Sequence, residues 1–146
     1  MDRLQQRQNN FERGTTIVEA AVIITWFMMF LFGIFEAGRF VNTKQVLTNA
    51  AREGARFAVT PLSGTNTLPS TAEVTTRVDD YLGSGSITGA TTTVDSAVSV
   101  GTGPVTTTYT RVRVQKAYQV ISVPYFFNIL QVNLAGEALM RNETSE

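Results

Sequence analysis

Glu19 is the residue of this sequence most in need of a chemical reason. It stands in the stretch R-G-T-T-I-V-E-A-A-V-I-I-T-W, residues 13 to 26, and it is the only charged residue between Thr15 and Phe35. A carboxylate near the centre of a bilayer costs about 2.5–3.5 kcal/mol on insertion scales. Two arrangements would make it tolerable. In one, the carboxylate reaches up to the headgroups and lies near the positive end of a helix dipole. In the other, a peptidase cuts after Gly14 and gives Thr15 a new α-ammonium, with a pKa of about 8. Glu19 would then lie four residues on, one helical turn away on the same face. In apolar surroundings the two charges would neutralise each other, within one chain or between neighbours.

Few other residues offer chemistry. The chain of 146 residues has no cysteine, no histidine and a formal charge of zero. A disulfide framework and a thiolate nucleophile are therefore excluded, and a zinc site would need carboxylates alone. The histidine triad and the commonest general base are missing too. Asp79-Asp80 lacks the spacing of an EF-hand loop around it, and Arg111, Arg113 and Lys116 are too few for a nucleic-acid patch. We expect no enzyme, no metal site, no cofactor and no nucleic-acid partner. Arg52, Glu53 and Arg56 read as a solvated helix face with i,i+3 and i,i+4 pairing, and Glu36 with Arg39 as an interfacial ion pair. Gly33 and Ala37 form a small-xxx-small pair through which another helix can approach.

The elements that position these residues are legible from period and punctuation. Residues 1–13 are polar and without an apolar period, so they should not fold alone. Thr15 to Phe35 is 21 residues, enough helix to span roughly 30 Å of hydrocarbon. That run exceeds the core of an ordinary secretory signal peptide, and no small-x-small cleavage site follows it. It reads as a retained membrane helix. Arg3, Arg7 and Arg13 on its short N-terminal side favour an N-terminus inside, although Arg39, Lys44 and Arg52 follow the span closely. No proline interrupts the chain before Pro61, so one helix should run on to about residue 59. Its outer half is amphipathic: Phe40, Leu47, Ala51, Gly54, Ala55 and Ala58 recur at helical spacing, opposite Asn42, Gln45, Asn49, Arg52 and Arg56.

Beyond the Pro61–Pro69 loop, Ser70-Thr71-Ala72-Glu73 has capping-box spacing, and Val74, Val78 and Leu82 follow at helical intervals. The spacing predicts a helix over about 71–82, stopped by Gly83-Ser84-Gly85. Period two then takes over in three runs, around Val94–Val100, Val112–Val120 and Val132–Met140, with turn chemistry at Gly101–Pro104. A small antiparallel sheet with one buried face follows, packed on the outer half of the long helix. Phe126 and Phe127 should fill the space between them. The fold class is α+β, organised as a leader at 1–14, a long helix at 15–59 spanning the membrane over about 15–35, and a small exported domain at 60–146.

The segment E-R-G-T-T-I-V-E-A-A-V-I-I resembles a type IV prepilin-like (class III) leader, with a basic polar peptide, a glycine, and glutamate at the fifth position after it. Further on, L-F-G-I-F-E-A-G-R-F-V-N-T-K-Q-V-L-T-N-A-A-R-E-G-A-R-F-A resembles the helix of TadE-like pseudopilins of tight-adherence (Flp-type) pilus systems, as does the later L-A-G-E-A-L-M-R-N-E. The resemblance implies a cut between Gly14 and Thr15 by a prepilin peptidase, with Arg13 as leader charge and Glu19 acting in assembly. It implies partners among other pilin-like subunits and the pilus assembly machinery, at the bacterial cytoplasmic (inner) membrane. The major Flp pilin type has glutamate-tyrosine where Glu19-Ala20 stands here, which points to an accessory subunit. The alternative is a single-pass, membrane-anchored extracytoplasmic binding or adhesion domain that is not cleaved; the size of the mature chain separates the two.

Overall fold

The computed structural model describes residues 2–62, 67–100, 107–123 and 127–142. Two helices precede three strands: α1 (Asp2–Val59), α2 (Thr71–Ser84), β1 (Thr91–Val100), β2 (Thr107–Val123) and β3 (Phe127–Arg141). This is the expected α+β chain. It divides into two compact units, Met1–Gly38 and Arg39–Glu146.

The long helix ends at Val59, as expected, but begins at Asp2 rather than near Thr15. Polar residues that would not nucleate a helix can still extend one. Nucleation is the unfavourable step, and each further residue then adds a hydrogen bond. Nothing in residues 2–13 breaks that extension, and Gly14 weakens it by only about 1 kcal/mol relative to alanine.

In the second unit α1 buries Leu47, Ala50, Ala51, Ala55 and Ala58, while Asn42, Gln45, Asn49, Arg52 and Arg56 stay exposed. The stripe is mostly alanine and glycine because the neighbouring elements come very close. A Cβ at Gly54 would meet the side chains of Val78 and Val112, and one at Gly136 would meet the backbone carbonyl of Leu47. Glycine inside strand β3 thus marks the crossing of helix backbone over sheet backbone. Around that crossing, Lys44 Nζ donates to the carbonyl of Ala135. Phe40 meets Tyr118 edge to face, with centroids 5.6 Å apart and planes at 86°.

Helix α2 starts on the anticipated capping box. The Ser70 hydroxyl accepts from the Glu73 N–H at 3.3 Å, and the Glu73 carboxylate accepts from the Ser70 N–H at 2.8 Å. Val74, Val78 and Leu82 form its buried stripe. The helix passes through Gly83 and ends two residues later than expected, at Ser84, where Gly85 donates back to Tyr81 O at 3.2 Å. Gly83 has open space around it, so nothing there forces a stop. At Gly85 an added Cβ would lie 2.9 Å from Val46 Cγ1, so a residue without a side chain lets the helix end approach α1.

The sheet is antiparallel in the order β1-β2-β3. Val112 lies between Val94 and Ala138 across the two ladders. Val112, Val114, Tyr118 and Leu134 point into the core, as the alternation implied. The register shifts between Asp95 and Val98, an irregularity the simple alternation did not show. At one end of the sheet the buried Thr110 hydroxyl donates to Asn142 Oδ1 at 2.7 Å, and Asn142 Nδ2 donates to Ser96 O at 3.4 Å. This pairing lets two polar side chains enter the core without an unmet hydrogen bond between them. The proposed turn at Gly101–Pro104 and the ring of Phe126 lie outside the described residues, as does the side chain of Phe127.

Candidate functional site

The residues singled out for processing and assembly all fall on α1. Arg13, Gly14, Thr15 and Glu19 are consecutive parts of one helical stretch, so Thr15 and Glu19 stand one turn apart. Glu19 is exposed, and among the described residues it forms no ion pair. No group within the described chain therefore offsets its charge.

The residues that follow it on the helix are largely apolar and uncovered. Ile17, Val18, Val22, Ile23 and Ile24 are exposed, as are the rings of Trp26, Phe27 and Phe30. Trp26 and Met29 each keep 71% of their surface, an exposure that water would penalise strongly across so long a run. Mean hydropathy over the best 18-residue window is 2.2, and none of that window is buried by the rest of the chain. Within the run Thr25 Oγ1 donates to Ala21 O at 2.8 Å, which satisfies the hydroxyl without water. One helix is therefore long and apolar enough to cross a membrane. Gly33 and Ala37 are both exposed, and an added Cβ at Gly33 would meet nothing within 4 Å. The small-xxx-small patch is exposed among the described residues.

The charged face farther along α1 is more structured than a solvated stripe. Glu53 pairs with Arg56 at 3.0 Å, one turn away, as the spacing implied. It also accepts from Arg77 of α2 at 2.9 Å. The Arg56 hydrogen bond, then the Arg77 one, hold the Glu53 carboxyl below its ordinary range, against a smaller opposing effect of burial. Arg77 lies 24 residues away, and no local pattern in the sequence pairs it with Glu53. Arg111 and Glu137 pair across β2 and β3 at 3.3 Å. Asp79 and Asp80 gather no further ligands: among the described residues no group of three or more metal-ligating side chains comes together.

The arrangement can do two things chemically. It can occupy a bilayer, and it can offer an uncompensated carboxylate and a small-residue patch to another apolar helix. In comparison with known proteins, residues 14–56 match the model of the TadE-like protein family. The match starts at the glycine of the supposed leader junction and covers the apolar run, the small-residue patch and nearly all of the amphipathic half. No curated protein and no solved structure matches the chain.

Proposed function

We propose, from the match of residues 14–56 to the TadE-like protein family, a membrane-inserted accessory pilin-like subunit of a tight-adherence pilus system, matured by a prepilin peptidase between Gly14 and Thr15. The observation that carries the proposal is the family match over a helix whose apolar half is wholly uncovered and holds one carboxylate without a partner among the described residues. Lipid covers that half while the protein is stored in the bacterial cytoplasmic membrane. On assembly, helices of other pilin-like subunits replace the lipid. The cut creates the Thr15 ammonium, which Glu19 meets one turn later, in its own chain or a neighbour. The leader stays on the cytoplasmic side and the unit after Gly38 lies outside, in keeping with Arg3, Arg7 and Arg13. The role is structural, with no reaction performed by this chain.

Helical structure through Gly14 has a consequence for processing. A protease takes an extended substrate, so the first turns must open, and glycine makes that opening cheapest at the junction. Co-expression with the cognate peptidase and N-terminal sequencing of the mature chain test the proposal. Thr15 is the expected first residue, and Gly14→Val should block the cut. An assembled protein that still begins at Met1 would refute it.

A further inference from the structure

Strand β2 is central for part of its length and an edge for the rest. Asn142 N–H donates to Thr108 O at 3.1 Å, and β2 and β3 stay in step from Tyr109–Arg141 to Val123–Phe127. Opposed residues of an antiparallel pair alternate between exchanging both backbone bonds and exchanging neither. Even-numbered residues of β2 therefore bond to β3, and odd-numbered residues point their N–H and C=O groups the other way. The carbonyl of Ala135, opposite Gln115, agrees: it points out of the ladder, where Lys44 takes it. Strand β1 covers the other side of β2 from Thr107 to Gln115, and it begins only at Thr91, opposite Gln115. From Ala117 to Val123 the odd-numbered groups of β2 thus face no strand among the described residues. Ala117 and Gln119 are exposed there, and no turn or loop backbone group of the described residues bonds to them.

Edges left open in this way invite pairing with another chain, and folded proteins blunt them. The outer edges of β1 and β3 are blunted. The register of β1 shifts between Asp95 and Val98, and Lys44 caps Ala135 in the middle of β3. The open stretch of β2 is different. Residues 117–123, A-Y-Q-V-I-S-V, carry no charge, no glycine and no proline, and their β-branched and aromatic members favour strands. Composition and bonding pattern both suit a copy of the same segment. Without charge, like strands meet without repulsion. Antiparallel pairing about Val120 sets odd residues against odd ones, Gln119 opposite Ile121 and Ile121 opposite Gln119, so that each open donor meets an acceptor. Pro124, which has no N–H, ends the pairing at the next residue. We propose that β2 docks edge to edge on β2 of a second copy over residues 117–123, in a two-fold contact that joins two three-stranded sheets into one.

The contact uses only the second unit, so neither leader cleavage nor membrane insertion decides it. The test takes the full, uncleaved chain in detergent micelles at rising protein-to-detergent ratio. The chain has no cysteine, so Val120→Cys introduces a single thiol. In the docked pair it opposes its own copy at about 4.5 Å between Cα atoms, within disulfide range. Mild oxidation should link Val120→Cys into dimers and leave Thr76→Cys, exposed on α2, largely monomeric. Amide exchange should slow with concentration at Ala117, Gln119 and Ile121 and stay constant at Tyr118 and Val120, which β3 already holds. Gln119→Pro removes an N–H that β3 does not use and should weaken self-association by about tenfold or more. If that variant loses the β-sheet signal in circular dichroism, Gln119→Lys takes its place by setting a charge on the edge. Equal cross-linking of both thiols, or alternate amides that exchange at one rate at every concentration, would overturn the contact. Protection of those amides by another pilin-like chain and not by a second copy would overturn the choice of occupant.

Discussion

The two halves of α1 use opposite side-chain economies. Residues 15–38 display large side chains, and Trp26, Met29, Phe30 and Phe35 are each more than half exposed. Residues 47–58 bury a stripe made almost wholly of alanine and glycine, with Leu47, Ala50, Ala51 and Ala55 completely covered. In a water-soluble helix the large apolar residues would be the covered ones. The inversion shows that burial by this chain was never the purpose of the first half. Its surface is shaped for a surrounding medium, lipid or other helices, whereas the second half is shaped for one fixed neighbour at short range. A single helix thus carries one face covered by folding and one left uncovered among the described residues.

The sharpest way to break this comparison is at Glu19. If the first half completes itself only with other subunits, Glu19→Ala should leave folding of the second unit, insertion and cleavage after Gly14 nearly normal. Complexes with pilin-like partners should be lost, because the Thr15 ammonium would have no counter-charge where an ion pair is worth several-fold more than in water. Glu19→Asp should recover part of the assembly, with the charge kept and the reach shortened. Gel shift for cleavage, read beside co-purification of partner pilins, separates the two effects. Cleavage with wild-type assembly in Glu19→Ala would make the residue merely interfacial.

Next in size is the converse experiment. Gly136→Val places a side chain against the Leu47 carbonyl, where helix backbone and not a flexible side chain must move. Overpacking of this kind costs about 3 kcal/mol. The second unit should melt at a clearly lower temperature, followed by the β-sheet signal in circular dichroism, while the apolar half still inserts. Loss of insertion together with stability would mean that the two halves are not energetically separable.

How far the sequence foretold this chain depended on range. The alanine-glycine stripe, the Ser70–Glu73 cap and the alternation of Val112 and Val114 are local patterns, and all appear where the sequence implied them. What it left unread is held by residues far apart. Gly136 faces Leu47 across 89 positions, Glu53 reaches Arg77 across 24, and Arg39 shares a cleft with Lys116 across 77. Gly136 did carry a signal, since glycine inside a strand marks close backbone approach. The helical start at Asp2 escaped for another reason: propagation from a neighbouring helix overrides the weak preferences of polar residues. The resemblance at Gly14–Thr15 and Glu19 rests on motif alone, because the chemistry it implies needs a peptidase and a second subunit.

A smaller effect probes α2, whose start the sequence specified completely. Ser70→Ala removes the hydroxyl that accepts from Glu73 N–H and should cost about 1 kcal/mol. Thermal unfolding should show the loss without any change in insertion or assembly, since the cap belongs to the half completed by folding.

Smallest of all should be the ion pair between the two helices. Glu53 is partly covered, with a side chain 21% exposed, but Arg77 is 51% exposed and solvent screens the pair. Arg77→Ala should therefore cost less than about 1 kcal/mol at neutral pH. Its pH dependence is more telling than its size. The folded carboxyl of Glu53 titrates below its ordinary value of 4.5, chiefly through the hydrogen bonds from Arg56 and Arg77. A group depressed in this way stabilises the fold fully above the unfolded value, and the contribution disappears as pH falls through the folded one. Acid unfolding below about pH 4.5 should thus contain a part due to Glu53 that Glu53→Gln removes and added salt reduces. Glu73, depressed by the Ser70 N–H and hydroxyl, titrates in the same direction, so the comparison requires Glu73→Gln as the background. Denaturant melts across that window, with and without Glu53→Gln, decide it: an unchanged acid limb would mean that the hydrogen-bonded triad holds its geometry without holding the two helices together.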